Sequence, residues 1–195
     1  MKRTLDVVLA VCGFAVAAPI LAVAAMAVWL ESGAPVFHRS IRLGRGGRPF
    51  IFYKLRSMYP GAEWASRELR LLNEVDGPVF KIADDPRMTS VGRVLRRTSL
   101  DELPQLWNVL RGDMSIVGPR PPLPEEVLEY DDWQLGRLSV RPGLTCYWQI
   151  RGRSLINFED WVRMDLEYIA SRGFWTDLKI MVSTIPAVLS GRGAF

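Results

Sequence analysis

Cysteine is scarce in this 195-residue chain: only Cys12 and Cys146 occur, neither at metal-binding or redox spacing. A disulfide framework and a zinc site are thereby excluded, and a reducing compartment is the simpler setting. Glycine-rich phosphate loops are also missing. Because neither G-x-x-x-x-G-K-[ST] nor G-x-G-x-x-G is present, Gly44-Arg45-Gly46-Gly47 reads as a tight turn and not as a nucleotide cradle. No internal repeat, low-complexity tract or recognised nucleic-acid motif occurs. Charge is absent altogether from residues 7–30.

What is present is a globular composition with one apolar run. Hydrophobic residues make up 49% and charged residues 24%, which excludes both a disordered chain and a polytopic membrane protein. The length suits one compact domain with a membrane segment, divided here as residues 1–32 and 33–195. A net charge of +4 and a pI near 9.3 suit an anionic partner. Membrane surface, nucleotide, lipid phosphate and nucleic acid all meet that description.

The apolar run, about 24 residues at ~1.5 Å each, makes ~36 Å of helix, enough to span a bilayer. Three readings compete. A signal peptide fits the basic start Met1-Lys2-Arg3 and the small residues Ala22-Val23-Ala24, but the run is too long for a typical one. A crossing helix fits the length. A re-entrant helix hairpin fits two further facts. Pro19, mid-run, lacks an N–H and clashes with the carbonyl of Ala15, so a bend is expected at Ala18-Pro19. Both flanks are basic: Lys2 and Arg3 precede the run, and Arg39, Arg42, Arg45, Arg48, Lys54 and Arg56 follow it against the lone acid Glu31. The positive-inside tendency then draws both ends to the cytoplasm. The hairpin is favoured; the crossing helix stays open, since spanning helices tolerate proline. Asp6, near the entry, is placed to pair with Lys2 or Arg3.

Beyond the run, residues 36–52 predict a β-hairpin around the glycine turn. Residues 62–74 predict a charged helix with Leu69 and Leu72 on one side, and 76–90 a loop. Helix resumes at Val91. Leu103, Leu106, Trp107 and Leu110 recur at helical spacing up to Gly112. Residues 117–124 are proline-rich and extended. A short helix near 125–135, a turn at Arg141-Pro142-Gly143 and amphipathic helices over 158–171 and 175–189 complete an α-rich α+β fold. Phe174 and Trp175 suit a headgroup layer, and core packing explains them nearly as well.

The chemistry concentrates around Asp101-Glu102. Pro104 is tolerated only in a helix's first turn, so a helix is expected to start just before it, with Ser99 or Asp101 as N-cap. Either choice places Asp101 where helix N–H groups favour an anion, and its carboxylate is expected to stay ionised. Adjacent helical residues project ~100° apart, so the two carboxylates have different tasks: one attacks while the other orients metal or substrate. On spacing alone, a capping Asp and a solvated Glu explain the pair better. Context shifts the odds. Arg93, Arg96 and Arg97 precede the pair, Arg120 lies between two prolines, and Gln149-Ile150-Arg151-Gly152-Arg153 offers amide and guanidinium donors suited to phosphate.

The run Thr98-Ser99-Leu100-Asp101-Glu102-Leu103-Pro104-Gln105-Leu106-Trp107-Asn108-Val109-Leu110-Arg111-Gly112-Asp113-Met114-Ser115-Ile116-Val117-Gly118-Pro119-Arg120-Pro121 resembles the signature of the bacterial sugar transferases, the monotopic phosphoglycosyl transferases. Tyr53-Lys54-Leu55-Arg56-Ser57-Met58 upstream and Arg141-Pro142-Gly143-Leu144-Thr145, Trp148-Gln149, Gly152-Arg153 and Asp177-Leu178-Lys179-Ile180 downstream extend the likeness over nearly the whole chain. The resemblance implies a re-entrant membrane helix broken at proline, with Ala18-Pro19 where members often carry Ser-Pro. It implies a minimal catalytic unit without the multi-helix N-terminal region of larger relatives. It further implies transfer of a sugar 1-phosphate from a UDP-sugar to polyprenyl phosphate through a phosphosugar on Asp101, releasing UMP. The implied site has Asp101 and Glu102 as catalytic and Mg²⁺ ligands, Arg96, Arg120 and Arg153 on phosphates, and Gln149 and Gly152 at the nucleotide. The implied setting is the cytoplasmic face of a bacterial inner membrane, in exopolysaccharide or lipopolysaccharide assembly. The lipid bilayer is a partner and nucleic acid is not; a homodimer and the identity of the sugar are left open.

Two other classes compete. A secreted glycosidase needs carboxyls about 5–9.5 Å apart on opposite sides of a sugar, which adjacent residues of one helix supply poorly. A membrane-tethered nucleic-acid binder built on residues 39–56 lacks a motif.

Overall fold

The computed structural model describes residues 2–62, 68–74, 77–80, 82–191 and 193. Its first element, α1 (Lys2–Ser32), is the one helix among the described residues long and apolar enough to cross a membrane. Pro19 lies inside it, exposed, and the chain continues through that point as one helix and not as two arms joined by a turn.

One stripe of α1 packs on the rest of the chain along its whole length. Ala10 and Ala17 share a core with Phe52, Leu106, Val109 and Met114. Ala24 and Val28 share another with Leu55 and Leu95. The remaining faces present Val8, Val11, Val16, Val23 and Leu30, all more than half exposed. Polar contacts fix both ends. At the start, Lys2 Nζ pairs with Asp177 Oδ2 at 2.6 Å. Asp6 is buried and accepts from Ser115 Oγ at 2.9 Å and Ile116 N at 3.0 Å. The expected partners of Asp6, Lys2 and Arg3, turn elsewhere, because burial favours fixed donors with no charge of their own to desolvate. Arg3 instead donates to the carbonyls of Val109 and Leu110. At the far end, Arg56 Nη2 donates to the Ser32 and Gly33 carbonyls at 2.8 and 2.7 Å. Glu31 accepts from Ser90 N and Val91 N.

The expected hairpin forms, from β1 (Phe37–Leu43) and β2 (Pro49–Leu55), antiparallel with Arg42 opposite Phe50. Gly46 and Gly47, at φ 69° and 73°, make its turn. The helix expected over 62–74 falls partly on residues 63–67, outside the described residues; its described end is a 3-10 turn, Glu68–Leu72. Within the expected loop over 76–90, residues 76 and 81 are likewise outside, and the described part is irregular up to Thr89. Thr89 caps α2 (Ser90–Thr98) by accepting from Gly92 N. A side chain at Gly92 would collide with the Ser57 carbonyl, so glycine is what lets α2 lie on the end of the hairpin.

α3 (Gln105–Arg111) ends at Gly112 with φ 91°, as its sequence predicts. Leu106 is buried, while Trp107 is half exposed, so the buried face runs through Leu106 and Val109 and not through the tryptophan. β3 (Ser115–Val117) follows. The helix expected near 125–135 is shorter: α4 (Pro124–Val127) is separated by a turn from a 3-10 stretch, Gln134–Ser139. β4 (Gly143–Thr145) pairs in parallel with β3, with Gly143 and Gly118 so close that a Cβ on either would strike the other strand's backbone. α5 (Tyr147–Arg151), α6 (Phe158–Ser171) and α7 (Phe174–Ser190) close the fold. α6 buries Trp161, Val162 and Tyr168, whereas α7 leaves Trp175, Ile185 and Leu189 more than half exposed.

Candidate active site

Four local structures converge on one cavity of about 470 Å³. The first is the inner row of the hairpin. Strand alternation puts Phe50, Phe52 and Lys54 on one face of β2, with Arg42 on the same face of β1. Phe52 is core, and Arg42 lies over its ring at 5.3 Å.

The second is the junction of α2 and α3. Ser99 adopts φ 57° and ends α2, its N–H donating to the Arg96 carbonyl at 3.0 Å. A 3-10 turn, Leu100–Glu102, follows, and Pro104 leads into α3. The expected helix start is therefore corrected. Neither Ser99 nor Asp101 caps α3, and Asp101 sits in a separate turn ahead of it. That turn projects Asp101 and Glu102 into the cavity.

The third is the Pro119-Arg120-Pro121 connector. Gly143 N donates to the Pro119 carbonyl at 2.8 Å and Gly118 N to Thr145 at 3.0 Å, which locks the backbone on either side of Arg120. The guanidinium lies over Trp161 at 5.3 Å, and its nearest acid, Glu126, is 3.7 Å away. The fourth is the segment from α5 to Arg153. Gln149 Nε2 donates to Glu102 Oε2 at 3.1 Å, and Arg153 Nη2 to Ser99 Oγ at 3.2 Å. Gly152 is not among the lining residues. Its φ of 157° turns the chain between Gln149 and Arg153.

Asp101, Glu102, Arg96, Arg120, Gln149 and Arg153 thus all line the same cavity. Three cations that sequence reasoning did not assign to the site join them: Arg42, Lys54 and Arg87, the last already paired with Asp85. The signal was present: with Phe50 and Phe52 facing inward, period-two alternation carries Lys54 inward too.

Burial dominates the electrostatics of these groups. Burial pushes the Asp101 carboxyl up, against the pull of Lys54 and Arg96. The expectation that Asp101 stays ionised rested on a helix N-terminus, and Asp101 lies instead in the turn ahead of α3. Burial and then the Asp101 charge push Glu102 up to about 7. Burial and the Arg96 charge push Lys54 down to about 8, and burial and Arg120 push Arg42 down to about 9. Arg42 Nε, Gln105 Nε2, Arg120 Nη1, Gln149 Oε1 and Arg153 Nε are buried without a hydrogen-bond partner. Buried polar atoms are rarely left so, and five around one cavity point to a polar ligand.

The donor set also fits a hard cation. Among the described residues no cluster of three or more His, Cys, Asp or Glu exists. Two adjacent carboxylates with the unpaired amide oxygen of Gln149 supply oxygen ligands, and Mg²⁺ commonly takes only one or two carboxylates beside water and substrate phosphates.

A family model described as bacterial sugar transferase matches residues 1–191. The galactosyl transferase CpsE of Streptococcus agalactiae is 44% identical over 194 residues, covering 99% of this chain and 43% of the relative. The UDP-glucose:undecaprenyl-phosphate glucose-1-phosphate transferase of Caulobacter vibrioides is 41% identical over 208 residues, covering 100% and 72%. The exopolysaccharide production protein ExoY of Rhizobium meliloti is 38% identical over 198 residues, covering 100% and 88%. The chain therefore spans less than half of some relatives and most of others. With the match running from the membrane-length helix through the carboxylate turn to α7, the chain belongs to the bacterial sugar transferase family.

Proposed function

We propose that this protein transfers a sugar 1-phosphate from a UDP-sugar to polyprenyl phosphate at the cytoplasmic face of a bacterial inner membrane, in surface-glycan assembly. The observation that carries this reading is the buried carboxylate pair ringed by cations with unpaired donors. Such a ring suits a diphosphate: guanidinium groups neutralise its charge, and a carboxylate is left free to attack.

In this mechanism Asp101 Oδ attacks the β-phosphorus of the UDP-sugar. The bond from that phosphorus to the bridging oxygen breaks, and UMP leaves with the electron pair. A phosphate oxygen of the polyprenyl carrier then attacks the same phosphorus, displacing the Asp101 carboxylate and giving a polyprenyl diphosphate sugar. No proton need be removed from the acceptor. Covalent catalysis splits one encounter between anions into two smaller ones. Arg96, Arg120 and Arg153, with Lys54 and Arg42 behind them, hold the phosphates. Glu102 is fixed by Gln149, and Asp101, Glu102 and the Gln149 oxygen would hold Mg²⁺. When bound, that ion supplies charge neutralisation at the phosphoryl oxygens.

The membrane topology follows the same reading. Both ends of α1 are held by the same globular body, through Lys2 and Asp6 at one end and Glu31 and Ser32 at the other. A helix crossing a bilayer of ~30 Å would carry its far end away from such contacts. We therefore read α1 as a re-entrant segment, bent at Ala18-Pro19 with both ends cytoplasmic, and α7 as an interfacial helix.

Relatives are named for glucose and galactose transfer, so UDP-glucose and UDP-galactose with undecaprenyl phosphate are the first substrates to assay for UMP release. Intact-mass measurement with a UDP-sugar alone is expected to show a hexose-phosphate adduct on the wild type and none on Asp101→Asn. UMP release by the Asn variant at the wild-type rate would end the covalent reading. For topology, single cysteines at residues 2 and 60, in a chain with Cys12 and Cys146 replaced, are expected to react together from the cytoplasmic side. Labelling of one alone by a periplasmic reagent would establish a crossing helix.

A further inference from the structure

A second, smaller basic cavity, of about 200 Å³, lies away from the carboxylates, at the first turn of α1. Its basic residues come from four separate places, Lys2 and Arg3 on α1, Arg45 in the hairpin turn, Arg141 before Pro142, and Arg172 between α6 and α7, and Asp6 lines it too. The acids nearby are already committed. Asp177 is paired with Lys2, and Asp6 is held by Ser115 and Ile116. Arg3 donates to the carbonyls that end α3. Arg45, Arg141 and Arg172 are exposed and make no hydrogen bond or ion pair among the described residues. Three arginines from distant parts of the sequence converge on one concavity, with no acid paired to them among the described residues. Mutual repulsion disfavours that arrangement unless something negative completes it.

Position identifies the anion's source. Lys2 and Arg3 immediately precede the apolar part of α1. Arg172 lies one residue ahead of Phe174 and Trp175, which are 47% and 76% exposed at the start of α7. Exposed aromatics beside basic residues mark the headgroup layer of a bilayer. The cavity therefore lies between two elements that share that layer. Guanidinium groups grip phosphate oxygens through paired hydrogen bonds, and basic pockets beside membrane helices on the cytoplasmic side select anionic lipids. We infer that Arg45, Arg141 and Arg172 form a headgroup site for an anionic phospholipid at the entry of α1, separate from the sugar-phosphate transfer site. This rests on α1 lying in the bilayer, as proposed above.

The test uses the full chain in zwitterionic-lipid nanodiscs titrated with phosphatidylglycerol, with bound lipid counted by native mass spectrometry. Wild type is expected to retain phosphatidylglycerol in preference to phosphatidylcholine. R45Q/R141Q/R172Q is expected to weaken that retention at least tenfold. R48Q/R163Q/K179Q removes the same charge from exposed residues that do not line the cavity, and is expected to stay within twofold of wild type. Equal losses in both triples would reduce the effect to general surface charge and overturn the site. So would displacement of the lipid by UDP, which would assign it to the transfer cavity. Glycerol 3-phosphate competing as well as the lipid would assign the pocket to a soluble phosphate instead. Retention by R45Q/R141Q/R172Q equal to wild type would also sink it. Alkaline carbonate extraction keeps the two readings apart: release of the wild type from membranes refutes the embedded α1, whereas a firmly bound protein without lipid preference refutes only this site.

Discussion

Two buried charge clusters both reach the ring of Trp161, and their charges are paired differently. In one, Arg137 and Asp165 meet at 2.5 Å, both about 1% exposed, and Arg137 also donates to Tyr130 Oη at 2.8 Å. Burial pushes Asp165 up to about 6, and the guanidinium keeps it ionised at neutral pH. In the other, Arg120 lies over the same indole, yet reaches its nearest acid only at 3.7 Å and leaves Nη1 without a hydrogen bond. One cluster closes its ion pair within the chain, although Arg137 Nε and Asp165 Oδ1 are buried without a hydrogen-bond partner. The other stops short of pairing, with Asp101 and Glu102 near Arg96, Arg153 and Lys54 but bonded to none of them. Charges that hold a fold are paired, and charges that hold a ligand are kept waiting for it.

The strongest way to break this contrast is to exchange the outcomes. Asp101→Asn is expected to lower turnover by at least ~10⁴-fold, about 5 kcal/mol of transition-state stabilisation, while the thermal melt holds or rises. Arg137→Met should do the reverse. It leaves Asp165 buried and unpaired, costing about 3–5 kcal/mol of stability, and Arg137→Met/Asp165→Leu should recover much of it. Melts and UMP-release rates on the four proteins decide the matter; an Arg137→Met protein that melts like wild type would erase the distinction. A smaller effect is expected for Arg120→Lys. A point charge replaces the fork, so kcat/KM for the UDP-sugar should fall tenfold or more with an unchanged melt. A change within twofold would mean that Arg120 is only a surface charge.

The smallest effect is a pH dependence. Glu102 has its carboxyl raised to about 7 in the folded chain, from an ordinary value near 4.5. Folding therefore favours the protonated form, so the stability this group confers is complete below ~4.5 and is lost as pH rises through about 7. Without substrate or metal, Glu102→Gln should melt above wild type at pH 8, and the gap should close towards pH 5. An equal gap at both values would show that ionisation of Glu102 does not destabilise the fold.

Much of this was legible in the sequence, and the misses share a cause. The hairpin, α6 and the end of α3 follow from alternation, helical spacing and a glycine stop, all local signals. The turn holding Asp101 was not legible, because Ser99 takes a left-handed conformation that its residue type does not announce. Lys54 and Arg42 were read as flanking charges because their role exists only once β2 faces the α2–α3 junction. Asp6 was assigned to its chain neighbours because its real partners, Ser115 and Ile116, lie more than a hundred residues away. Local chemistry was readable, whereas whatever depended on distant segments meeting was not.

The attachment of α1 carries a consequence for the order of folding. Lys2 meets its partner Asp177 across 175 positions, and Asp6 meets Ser115 across 109. The first turn of α1 is therefore fixed only once β3 and the start of α7 are in place, and contacts that close such long loops form slowly.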